Sequence, residues 1–167
     1  MHERGAIDFD DLQHEADYDK WAAYGQSKLA NVLFAYELDR RLRAASASVT
    51  SVACHPGYAA TNLQRRGPEA EGSRLRLLLM RVANAVLAQS AERGALPMLY
   101  AATAPGVEGG EYIGPGGLFD MRGAPEKQRS NDKSYDEDRA ERLWAVSEES
   151  TGVSFDFDAL AGRRIEA

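Results

Sequence analysis

The sequence predicts an α/β fold, and three stretches carry that prediction. Residues 18–45 contain no proline and only one glycine, Gly25. They repeat Leu29, Val32, Leu33 and Tyr36 at helical spacing, with Arg40, Arg41 and Arg43 near the end, the pattern of a long helix. Residues 49–54, Val-Thr-Ser-Val-Ala-Cys, form a β-rich run that stops at His55-Pro56-Gly57, a short buried strand ended by a turn. A helix followed by a strand is half of a βαβ unit. Residues 90–103 then read as another helix, with Ser90 as its cap, and Glu111-Tyr112-Ile113 as the last strand, bracketed by Gly109-Gly110 and Gly114-Pro115-Gly116-Gly117.

The remaining stretches follow from their punctuation. Residues 1–16 are polar and acidic and form a loop feeding the long helix, with Asp17 or Asp19 as its cap. Residues 74–88 are an amphipathic basic helix, and Pro97 kinks the next helix or marks a late start. A polar loop runs through Ser130, and residues 134–149 form a helix whose apolar side is Leu143, Trp144 and Val146. No repeat, low-complexity tract or linker divides the chain, so residues 1–167 are read as one domain.

Composition narrows the function classes. A net charge of −6 with both signs interspersed supplies no basic footprint for nucleic acid. Cys54 stands alone and forms no internal disulfide, and no leader opens the chain, which reads as a reducing, cytoplasmic setting. Residues 75–87, the longest apolar stretch, are interrupted by Arg76, Arg81 and Asn84 and fall short of the roughly 20 residues a membrane span needs. His2, His14 and His55 lack metal-ligand spacing, and no Gly-x-Ser-x-Gly elbow supports a Ser/His/Asp hydrolase.

One pair of residues carries the chemistry. Tyr24 and Lys28 are four apart on the long helix, so they share a face about 6 Å apart along its axis. A free phenol has a pKa of about 10. An adjacent ammonium favours the phenolate, which allows proton exchange with a carbonyl or alcohol nearer neutral pH. The spacing alone would arise by chance in roughly one such sequence in six, and its bland reading is a surface cation beside a half-buried aromatic.

The surrounding residues add specificity. The run Tyr24-Gly25-Gln26-Ser27-Lys28-Leu29-Ala30-Asn31-Val32-Leu33-Phe34, followed by Glu37-Leu38, resembles the active-site helix of the short-chain dehydrogenases/reductases, in particular the retinol-dehydrogenase-like branch. His55-Pro56-Gly57-Tyr58 with Thr61 is similar to the family's Pro-Gly turn at the nicotinamide. Tyr112-Ile113-Gly114-Pro115-Gly116-Gly117 and Met121-Arg122-Gly123 resemble the last strand and its exit, and residues 5–12 resemble the loop before the active-site helix. The likeness covers nearly the whole chain and weakens over residues 63–88 and the final fifteen or so.

The resemblance implies the C-terminal portion of a Rossmann-type, doubly wound parallel sheet and an NAD(P)-dependent oxidoreductase that transfers hydride between the nicotinamide and a carbonyl or alcohol substrate. Tyr24 would be the acid/base, and Lys28 would lower its pKa and bond the nicotinamide ribose. Pro56, Gly57 and the backbone of Tyr58 would border the nicotinamide, and the Thr61 hydroxyl would reach its carboxamide or the nearby phosphate. Gly57 admits close backbone approach, and exposed turn amides suit a carboxamide oxygen. Residues 74–88 stand open between a packing helix, a membrane-surface helix and a substrate lid; their place after the turn implies the lid.

The family's cofactor grip is a strand running into a glycine-rich turn and a helix, and no such unit occurs here. The glycines between residues 106 and 117 surround a short strand and lead into a polar loop. The family's catalytic serine would fall just before Met1, and Ser27 lies within the helix facing another way. The opening therefore reads as a truncation, an internal methionine of a longer gene in preference to a true remnant. Left with two strands, the chain is expected to be marginally stable alone, with an uncovered sheet edge and apolar helix faces. The alternative to an enzyme is a non-catalytic remnant or interaction module. The choice between NAD and NADP, the substrate, the reaction direction and homo-oligomer formation are not encoded in these residues.

Overall fold

The computed structural model describes residues 5–58, 89–117 and 120–160. The elements are α1 (Lys20–Ala44), β1 (Ala53–Cys54), α2 (Ala91–Thr103), β2 (Tyr112–Pro115), β3 (Pro125–Gln128), a 3-10 turn (Asp132–Tyr135), α3 (Glu137–Thr151) and a closing 3-10 turn (Asp158–Leu160). The helix expected over residues 74–88 lies outside the described residues. Among the described residues, no helix is long and apolar enough to cross a membrane. The chain gathers into two compact units, residues 1–53, 108–111 and 129–167 in one, and 54–107 and 112–128 in the other.

The first unit is built on α1. Asp19, one of the two expected caps, accepts from the amides of Trp21 (2.9 Å) and Ala22 (2.7 Å), satisfying two donors the helix leaves open. The apolar stripe buries Leu29 and Leu33 against Ile7 and against Ala140 and Leu143 of α3. Toward its C-terminus α1 also buries two carboxylates. Glu37 is held by Arg40 and Arg41 at 2.5 and 2.6 Å, and Asp39 by Arg43 at 2.7 Å, so each charge removed from water is paired. The third helix starts later than its composition suggested. Ser134 belongs to the 3-10 turn, Asp136 caps α3 through the Arg139 amide at 3.0 Å, and Gly152 closes it in left-handed geometry (φ 68°).

In the three-stranded sheet the order is β1-β2-β3. The amides of Ala53 and His55 donate to the carbonyls of Glu111 and Ile113, so partner numbers rise together and β1 lies parallel to β2. β3 runs antiparallel to β2, with Tyr112 opposite Gln128 and Pro115 opposite Pro125. The sheet is therefore mixed, which corrects the expectation of an all-parallel one. It also corrects the expectation that residues 111–113 are the last strand. The reason is that Pro-Glu-Lys-Gln is a polar edge strand with no hydrophobic alternation, and only backbone pairing reveals it. β1 is shorter than the run 49–54, and among the described residues it pairs with β2 alone. In the second unit α2 packs on β2 and β3. Ser90 caps it as expected, and Pro97 sits fully buried within it.

Candidate active site

In the first unit, Tyr24 and Lys28 do share a face of α1. The Lys28 ammonium lies 5.2 Å from the centroid of the Tyr24 ring. Tyr24 is 37% exposed, and Trp21, one turn earlier, is 64% exposed. Among the described residues, Lys28 has no ion pair or hydrogen bond, so its ammonium is free to meet a second hydroxyl-bearing group. Ser27 turns back onto its own helix, its hydroxyl donating to the Tyr24 carbonyl at 2.8 Å, and stays out of the constellation.

The loop before α1 is fastened to it by a residue that sequence reasoning passed over. Gln26 is buried between the two candidate catalytic side chains in sequence, and its amide accepts from the Asp8 N–H and donates to the Leu12 carbonyl, both at 2.9 Å. Within the loop, Asp11 accepts from the amides of Glu15 and Ala16 at 2.8 and 3.1 Å. The Glu15 amide is the main cause that holds this carboxyl below its ordinary range. A buried glutamine next to a catalytic candidate leaves one faint signal, a polar residue on the helix's apolar side. Replacing Gln26 by leucine removes two part-buried hydrogen bonds, each worth about 0.5–1.5 kcal/mol, so about 1–3 kcal/mol of stability should be lost. A chemical-denaturation midpoint that does not move would show the loop to be held by other means.

In the second unit, residues 55–58 form the expected turn. Gly57 is left-handed (φ 64°), and a side chain there would strike the Met121 carbonyl and Pro115. The turn's polar groups are engaged within the unit. The Gly57 amide donates to His55 Nδ1 at 3.2 Å and the Tyr58 amide to the Met121 carbonyl at 2.7 Å. Buried Gln89 donates from its side chain to the Pro56 carbonyl (2.7 Å) and from its backbone to the Tyr58 carbonyl (2.9 Å). What the turn presents is thus a rigid shelf, and its Gly57 and Tyr58 amides are already in use, unlike the exposed amides expected from the sequence. Thr61 lies outside the described residues. Cys54, just before the turn, has its thiol pushed up by burial and stays protonated at neutral pH.

A cavity of about 240 Å³ in the first unit is lined by Tyr36, Asp39, Arg43 and Tyr135 among others, but by neither Tyr24 nor Lys28. Its charged groups already pair with one another, so it belongs to the packing of α1. No cluster of metal-ligating side chains occurs among the described residues.

No protein-family model matches the chain. Human retinol dehydrogenase 14 is 35% identical over 158 residues, which are 92% of this chain and 42% of that protein. Human retinol dehydrogenase 12 is 37% identical over 157 residues, 93% of this chain and 44% of that protein. Human polyprenol dehydrogenase is 34% identical over 147 residues, covering 88% and 41%. Among solved structures, an uncharacterised protein of Mycobacterium paratuberculosis superposes with a TM-score of 0.70 at 34% identity, over 93% of this chain and 48% of its own. The chain spans less than half the length of each of these relatives.

Proposed function

The chain is a homologue of the short-chain dehydrogenases/reductases of the retinol- and polyprenol-dehydrogenase kind, and from that premise we propose that it carries the proton-transfer half of an NAD(P)-dependent oxidoreductase site acting on a carbonyl or alcohol. The observation that supports this most is the half-buried, otherwise unpaired Lys28 ammonium set 5.2 Å from the Tyr24 ring, within the segment matched to dehydrogenases.

The nicotinamide, when bound, supplies or accepts the hydride. The chain's own residues handle the proton. The Tyr24 O–H donates to the oxygen of a carbonyl under reduction, and its phenolate takes the proton back from an alcohol under oxidation. Lys28 would stabilise the phenolate by Coulomb attraction and would hold the ribose hydroxyls through its further N–H donors. In the same reading Pro56, Gly57 and Tyr58 would border the nicotinamide, a role that suits a shelf whose polar groups are internally satisfied. Thr61 would reach the carboxamide or the nearby phosphate. The fit covers the nicotinamide end of the cofactor, since the sequence holds no glycine-rich turn for the pyrophosphate. A cytoplasmic setting belongs to the same reading and rests on the lone cysteine.

A second reading, a binding module without catalysis, is favoured by the exposed apolar side chains of Trp21 in the first unit and of Leu96, Met98 and Leu99 in the second. Fluorescence titration with NADH and NADPH separates the two. Saturable binding in the micromolar range, reduced at least fivefold by Lys28→Met, is expected from the oxidoreductase reading. Absence of binding to either nucleotide supports the module instead.

A further inference from the structure

We propose that His55 is a positioning residue whose neutral ring clasps the turn at residues 55–58, so that the geometry of Gly57 follows the protonation state of His55; the link to cofactor binding rests on the nicotinamide assignment above.

The hydrogen-bond pattern defines the tautomer. The Gly57 N–H donates to His55 Nδ1 at 3.2 Å, so Nδ1 carries no proton. Nε2 therefore carries it and donates to Gln128 Oε1 at 3.0 Å. Gln128 is oriented consistently with this, its Nε2 donating to the Pro115 carbonyl at 2.9 Å and to Asp120 at 3.2 Å. The ring stacks on Tyr112, centroids 5.2 Å apart and planes 17° apart. Gly114 lies beneath this arrangement, and a side chain there would run into both the imidazole and the Gln128 amide. Four elements of the chain thus converge on one ring: the turn, β2, β3 and the loop that holds Asp120.

A second proton on the ring occupies Nδ1 and removes the acceptor that, among the described residues, the Gly57 amide uses. The Gln128 bond survives, because Nε2 remains a donor. Protonation therefore breaks the clasp on the turn side alone, where Gly57 is held at a φ of 64° and, among the described residues, its amide has no other acceptor. The titratable groups around the ring are Tyr112, stacked on it from β2, and Asp120, which reaches it through Gln128; Glu126, two residues before Gln128 on β3, has its carboxyl against Gly116.

The test uses isotope-labelled protein and nuclear magnetic resonance. Ring nitrogen shifts should report the Nε2–H tautomer at neutral pH, and the Gly57 amide shift should titrate with the same midpoint as the His55 ring. His55→Phe keeps the stack on Tyr112 but removes the acceptor, and should speed Gly57 amide exchange about tenfold, the scale of one ordinary hydrogen bond. His55→Asn places an oxygen near the Nδ1 position; it should restore slow exchange and abolish the pH dependence. NADH affinity, measured by fluorescence, should fall at least fivefold in His55→Phe and recover in His55→Asn. An Nδ1–H tautomer, a Gly57 amide that ignores the ring's titration, or exchange unchanged in His55→Phe overturns the clasp. A clasp intact by resonance in a protein that binds neither NADH nor NADPH counts against the nicotinamide assignment and leaves the clasp supported.

Discussion

Tyr24→Phe is expected to lower the rate of nicotinamide-dependent carbonyl reduction about 10²- to 10⁴-fold, the usual contribution of one positioned proton donor, while leaving the melting temperature unchanged. Phenylalanine keeps the ring beside Lys28 and deletes only the exchangeable proton, hence the loss of rate. The ring is 37% exposed and its hydroxyl bonds to no described residue, so no buried partner is orphaned and stability holds. Following NAD(P)H absorbance with an aldehyde substrate, alongside a thermal melt, reads both halves. A variant that turns over at the original rate removes the phenol from the chemistry. One that is slow and also melts early shows that Tyr24 acts through structure.

Trp144→Ala should cost about 3–5 kcal/mol, the range for deleting a large buried aromatic. Trp144 is 1% exposed and stacks on Phe34 of α1 at 4.7 Å between centroids. Phe155 and Phe157 cover it at 5.7 and 5.8 Å, and the Arg41 guanidinium lies 4.7 Å from its ring. Removing it empties the contact between α1 and α3 on which the first unit depends. Small domains hold only about 5–15 kcal/mol in total, so a large part of the transition should be lost. Trp144→Phe should be much milder, since it retains the stack and deletes an indole N–H that is buried without a partner. Urea denaturation followed by circular dichroism measures both. An alanine variant with the original midpoint would mean that the two helices are joined elsewhere.

The elements legible in the sequence were those whose signal is local. A proline-free run with apolar residues every three or four positions can bury its stripe only as a helix, which is why α1 and α3 were recognisable. Asp19 and Ser90 announced helix starts because a short oxygen-bearing side chain answers an orphan amide wherever it sits. β3 was illegible, because an edge strand of Pro-Glu-Lys-Gln owes its conformation to the backbone of β2. Gln26, Gln89 and Gln128 were missed for the same reason, as each is defined by partners between 8 and 73 residues away.

The sequence by itself determined that Tyr24 and Lys28 share one face, because four residues on an α-helix leave no other arrangement. It also determined that Gly57 ends a turn, because the run before it can extend and Pro56 halts it. Only the tertiary structure decided that the sheet is mixed and that the turn's amides are spent inward on His55 and Met121. It alone set the tautomer of His55, which follows from the direction of a hydrogen bond donated by Gly57 and from the side chain of Gln128 on another strand. Helical spacing is a property of neighbours along the chain; hydrogen-bond direction is a property of groups that meet only once the chain has folded.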